Sequence, residues 1–79
     1  MDIEKGSVVI AKAGRDKGGC FVVMKTEDGF AYIADGKRRK VEAPKKKNLL
    51  HLQSTRRVIN VQNVTNREIK KLLNEFKGI

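Results

Sequence analysis

The chain has 79 residues, of which 39% are apolar; it has no Trp and only four aromatic residues, and its 18 Lys and Arg face nine Asp and Glu for a net charge of +9. That length allows one small domain whose core must come from Val, Ile and Leu, which leaves no room for the deep pocket of an enzyme. A charge so far from neutrality speaks to polyanionic partners, nucleic acid or an acidic membrane surface, and not to fold.

Met1 to Lys5 reads as a polar lead-in, and Gly6 precedes Val8-Val9-Ile10-Ala11, whose consecutive β-branched residues predict a first strand. Gly14-Arg15-Asp16-Lys17-Gly18-Gly19 holds three glycines in six residues and predicts a loop with unusual backbone angles. Cys20 to Lys25 is the second strand, Thr26 to Gly29 a turn, and Phe30 to Ala34 the third strand, the two strands forming an antiparallel hairpin. Asp35-Gly36 is the strongest short turn signal in the chain. Lys37 to Glu42 fits either a basic edge strand or an extended loop, and Pro44 interrupts any ladder. The stretch 43–48 reads as a second turn, Asn48 to Gln53 as a further strand, and Val58 to Val61 as a last short one.

The C-terminal segment predicts a helix. Thr65-Asn66-Arg67-Glu68 is a capping box, and Val64 and Ile69 have the spacing of a hydrophobic staple. Ile69, Leu72, Leu73 and Phe76 fall on one stripe, with Gly78 as a natural stop. About twelve residues is too short for a stable lone helix, so the stripe must dock on the barrel or on a partner, with the barrel as the expectation. The whole reads as one domain, with residues 1–62 as a small barrel of about five strands and 63–79 as a helix packed on it.

Charge is concentrated. Lys37, Arg38, Arg39, Lys40, Lys45, Lys46, Lys47, Arg56 and Arg57 face only Glu42 between residues 37 and 57, so this stretch supplies +8 of the net +9. If the two flanking connections turn the chain back, these clusters converge on one region, where they would neutralise phosphates and release counterions. No helix-turn-helix or zinc finger is visible, and the helix, with Arg67, Lys70, Lys71 and Lys77 offset by Glu68 and Glu75, is a poor reader of the DNA major groove. RNA gripped by shape is the better match. Arg15 and Lys17 add charge to the glycine loop, which lacks the spacing of a nucleotide-binding P-loop and opens a strand, not a helix.

Residues 6 to 36 resemble the KOW motif of ribosomal proteins and transcription elongation factors, on Gly6-x-Val8-Val9-x-Ala11, then Gly14 to Gly19, then an apolar strand. The run Tyr32-Ile33-Ala34-Asp35-Gly36, followed by Arg38-Arg39, Pro44 and Leu49 to Leu52, is similar to the fourteen-e, six-e and twenty-seven-e group of large-subunit ribosomal proteins. The resemblance implies an SH3-like barrel of about five strands that contacts ribosomal RNA, with Arg15 and Lys17 at positions that approach RNA or a protein partner. It departs from that group in lacking long basic tails and in adding a C-terminal helix.

The remaining residues bound the chemistry. The single Cys20 excludes an intrachain disulfide, and one histidine, His51, with no C-x-x-C excludes a zinc site within one chain. No paired carboxylates or triad can be drawn, so neither an enzyme, a cofactor nor a small-molecule substrate is expected. No stretch reads as a signal peptide or membrane span, and the expectation is a cytoplasmic protein. Phe30 and Tyr32 share a strand face and are read as core, as is Phe21; base stacking is their alternative role, while His51 is read as a surface residue. A protein-interaction module of the translation or transcription machinery, docking through the helical stripe, is the competing function.

Overall fold

A computed structural model describes residues 3–77, apart from the Lys77 side chain. It contains five strands, β1 (Ser7–Ala11), β2 (Cys20–Glu27), β3 (Phe30–Ala34), β4 (Lys45–Asn48) and β5 (Leu52–Val58), with a single 3-10 turn at Leu49–His51 and a helix α1 (Asn66–Lys77). All ladders are antiparallel, in the order β4-β3-β2-β1-β5. The edge strands β4 and β5 are not hydrogen-bonded to each other, so the sheet is open and the expected closed barrel is not formed.

The sheet nevertheless coils strongly. Ala31 and Ile33 on β3 share one core cluster with Leu52 on β5, although two strands lie between them. Register shifts between Val23 and Lys25 in the β2–β3 ladder, and between Ser7 and Val9 in the β1–β5 ladder, supply local twist. The concave face buries Val9, Ala11, Phe21 and Val23 with these residues, and also Ile3, which the sequence placed in a polar lead-in. The other face buries Val8, Cys20, Val22 and Ala34 beneath α1. Both faces of the central strands are therefore covered, which is why Val8–Ala11 of β1 and the start of β2 are continuous apolar runs without polar alternation.

Several sequence boundaries shift. The β2–β3 connection is two residues, not four, because Thr26 and Glu27 stay in the ladder opposite Ala31 and Phe30. Asp28 (φ 44°) and Gly29 (φ 83°) both take the left-handed region, as a type I′ hairpin requires. The lysine run expected in a turn forms the edge strand β4, whereas Lys37 to Lys40 lie in a loop. The expected strand at 48–53 begins with the 3-10 turn, where the Asn48 side chain accepts the Leu50 amide at 2.8 Å. The last strand ends at Val58 instead of starting there.

The helix forms as its sequence predicts. The Glu68 amide donates to Thr65 Oγ1 (3.2 Å), and the Thr65 amide donates to Glu68 Oε1 (2.9 Å), a reciprocal capping box. Ile69 and Leu73 are buried against the sheet, with Val64, Leu72 and Phe76 packed half-buried around them. The stripe thus docks within the same chain. The proposed stop at Gly78 lies outside the described residues. Among the described residues no helix is long and apolar enough to cross a membrane.

Candidate nucleic-acid interface

Strand pairing decides which basic residues meet. Ala11 pairs with Leu52, Ile10 with Cys20, Val22 with Ala34 and Ile33 with Lys45. The end of β1, the start of β2, the end of β3 and the start of β4 therefore lie together. The loops 12–19 and 35–44 both leave from this end of the sheet.

The second loop is held rigidly by two residues that charge counting passes over. Asp35 Oδ1 accepts the amides of Lys37 (2.9 Å) and Arg39 (2.8 Å), while the amides of Asp35 and Gly36 donate to the Arg39 carbonyl (2.8 and 3.1 Å). Asn66, in the first turn of α1, accepts the Val41 amide at 2.7 Å and donates through Nδ2 to Glu42 Oε1 at 2.6 Å. Gly36 packs on the Asn66 carbonyl so closely that a Cβ would collide with it, and its φ of 78° also favours glycine. The first residue of the helix thereby fixes the loop, and Lys37, Arg38 and Lys40 are left exposed on it. The short side chains of Asp and Asn next to backbone amides are a recognisable signal for such loop closure, but the 25-residue reach of Asn66 to Val41 has none.

Asp16, in the first loop, is the centre of a charge cluster. Its carboxylate lies 3.0 Å from Lys45 Nζ, 3.5 Å from Arg39 NH2 and 3.7 Å from Lys47 Nζ, and its side chain is only 8% exposed. Lys47, 7% exposed, also donates to the Ala13 carbonyl at 2.9 Å. Burial pushes the Asp16 carboxyl up, but the Lys45 hydrogen bond and the charges of Arg39, Lys45 and Lys47 outweigh it and hold the group below the ordinary carboxylate range. Three cations around one anion leave the cluster positive. Arg39, Lys45 and Lys47, expected as phosphate contacts, pair with Asp16 and tie the two loops to β4; Lys47 is buried there, while the Arg39 and Lys45 side chains stay 34% and 33% exposed. Arg15 and Lys17 flank Asp16 in sequence and are exposed.

Two further groups stand apart. Arg56 and Arg57 are exposed near the Ser7 end of β1, because Val58 pairs with Ser7. That places them about 13 Å, the length of β1, from the end that carries the basic loops. Arg57 lines a separate groove with Glu68, Lys71, Leu72, Glu75 and Phe76. Phe30 and Tyr32, read from sequence as core, are half-exposed; Ala31 and Ile33, the alternate positions of β3, fill the core instead. Lys46 Nζ lies 4.4 Å from the Phe30 ring centre and Lys25 Nζ 5.0 Å from that of Tyr32. The Tyr32 hydroxyl donates to Glu27 Oε1 at 3.1 Å, and this hydrogen bond, with smaller help from desolvation and the carboxylate charge, raises the phenol above its ordinary range. His51 is exposed.

A scan against protein-family models finds no match to the chain, and a search of curated proteins returns no relative.

Proposed function

We propose that the chain is an RNA-binding module that grips structured RNA through the two basic loops at one end of its sheet. One observation carries the reading: Arg15, Lys17, Lys37, Arg38 and Lys40 are exposed on loops that leave the same end, over a cluster that is itself positive. Loops held by Asp35, Asn66 and Asp16 present these charges without ordering them anew on binding, which limits the entropic cost of association. Contacts of this kind go to phosphates, so they set position and affinity more than sequence choice.

The footprint is narrower than the charge count suggests. Arg39, Lys45 and Lys47 support the surface from within, Lys46 lies on a neighbouring face, and Arg56 and Arg57 form a peripheral contact at the far end of β1. Five antiparallel strands with a short turn joining β4 to β5, both edges of a coiled sheet, suit an open version of the SH3-like KOW barrel. On that reading the target is ribosomal RNA and the setting cytoplasmic. A protein-interaction module would want the helical stripe free, and Ile69 and Leu73 are already buried by the chain's own sheet.

The test is titration of a blunt RNA stem-loop at two or more salt concentrations. Binding should weaken steeply with salt. Replacing Arg15, Lys17, Arg38 and Lys40 by Ala should lower both affinity and the salt slope, the latter by about 0.7–0.9 for each phosphate that is no longer neutralised. Equal binding by parent and variant would place the site elsewhere.

A further inference from the structure

We infer that Phe30 and Tyr32 form a stacking platform for unpaired nucleotides of RNA, on a face that runs from the hairpin end of β3 toward the basic loops. The inference rests on the RNA-binding reading and extends it to a second contact of different chemistry.

Three observations meet on this face. First, Phe30 and Tyr32 are half-exposed in a chain with only four aromatic residues, and they occupy alternate positions of β3. Alternate positions project from the same side of a strand, about 7 Å apart. Flat rings so spaced on a sheet surface can each take one base of an extended strand, because every base offers a π-face. Second, each ring carries a lysine. Lys46 and Lys25 pair with Tyr32 from the strands on either side, and their ammonium groups lie over Phe30 and Tyr32. Both lysines are exposed. An exposed cation–π contact is weak, so these side chains can yield the ring to a base and turn to the adjoining phosphate.

Third, β4 links this face to the basic end. Its alternation sends Lys45 and Lys47 to Asp16 and Lys46 to Phe30. A single strand leaving a stem held by the loops would pass along β4 onto the rings. Glu27 pairs with Phe30 and accepts the Tyr32 hydroxyl, and with Asp28 in the adjoining turn it offsets Lys25 and Lys46. Charge alone therefore does not hold RNA here. The contribution must come from stacking, which salt screens little, and that separates this contact from the one made by the loops.

Tyr32 is the only tyrosine in a chain without tryptophan, so intrinsic fluorescence reports this site alone. The experiment compares a blunt RNA stem-loop with the same stem-loop carrying a single-stranded tail of six uridines. The tail should strengthen binding by about tenfold or more and quench Tyr32, and the gain should persist at raised salt. Phe30→Ala and Tyr32→Leu should each remove most of the gain while leaving blunt stem-loop binding unchanged. Tyr32→Phe, which loses only the bond to Glu27, should keep it, and circular dichroism confirms that each variant is folded. If the tail adds nothing to a blunt stem-loop that binds well, or if the gain survives in folded Phe30→Ala and Tyr32→Leu variants, the platform is refuted while the RNA reading stands. If neither RNA binds, the RNA reading fails and the platform fails with it.

Discussion

Lys46 and Lys47 are neighbours in a run of three lysines, yet their surroundings differ completely. Lys47 is buried, bonded to the Ala13 carbonyl and lying 3.7 Å from Asp16. Lys46 is exposed over a half-exposed ring. The pleat of β4 alone separates them, because successive side chains of a strand point to opposite faces. A basic run is thus not one functional unit. Part of it holds the fold together and part of it is free to meet a ligand, and a count of charges adds the two without distinction.

Substitutions can break that contrast in order of size. The largest effect belongs to Asp16→Ala, which leaves Lys47 buried without its counter-charge. It should cost about 3 kcal/mol, a fall in Tm on the order of 15 °C for a domain of this size. Thermal melting followed by circular dichroism measures it, and a shift of only a degree or two would show that the cluster is surface decoration. The same carboxylate sets an acid limb. Because its folded pKa lies below the ordinary value of 3.8, its stabilisation is complete above that value and is lost as pH falls toward the folded pKa. Tm of the parent should therefore drop more steeply below pH 4 than Tm of Asp16→Asn.

Next comes Lys47→Met, which keeps the stem but removes a donor from Ala13 and one cation from Asp16, at about 2 kcal/mol. Lys46→Met should change stability by less than about 0.5 kcal/mol. Urea titration of the two variants side by side is the direct measure of the contrast, and equal midpoints would erase it. Thr65→Ala removes one half of the capping box and should cost about 1 kcal/mol, loosening the loop that Asn66 anchors. Replacing Arg38 and Lys40 by Ala sits at the bottom of the stability scale, with melting nearly unchanged while RNA affinity falls. A marked loss of stability there would move these residues into the structural class.

The parts of the fold legible from sequence are those specified by nearby residues. The cap, staple and stripe of α1 can be read from Val64 to Phe76, because a helix is built from contacts three and four positions apart. The Asp28-Gly29 hairpin is legible as a turn, although Asp35-Gly36 carries the same dipeptide; it makes a two-residue turn only where flanking strands continue on both sides. Phe30 and Tyr32 depart from their expected burial because side-chain size is a poor guide to it, and the small Ala31 fills the core in their place. The proposed site is half legible. Its sign and its rough place in the chain follow from composition, but Arg39, Lys45 and Lys47 resemble free charges in the sequence because nothing local couples Lys45 to an aspartate 29 residues away.

Amino-acid order by itself determined the strand-rich class, the C-terminal helix and the strong positive charge, since each depends on short-range pattern or on composition. The open but coiled sheet, the anchoring of the basic loop by Asn66 and the division of the lysines between Asp16 and solvent were decided only by tertiary structure. Those features depend on which distant segments share a neighbourhood, and a buried carboxylate keeps its cations because low-polarity surroundings strengthen their attraction, a condition that exists only once the chain has folded around it.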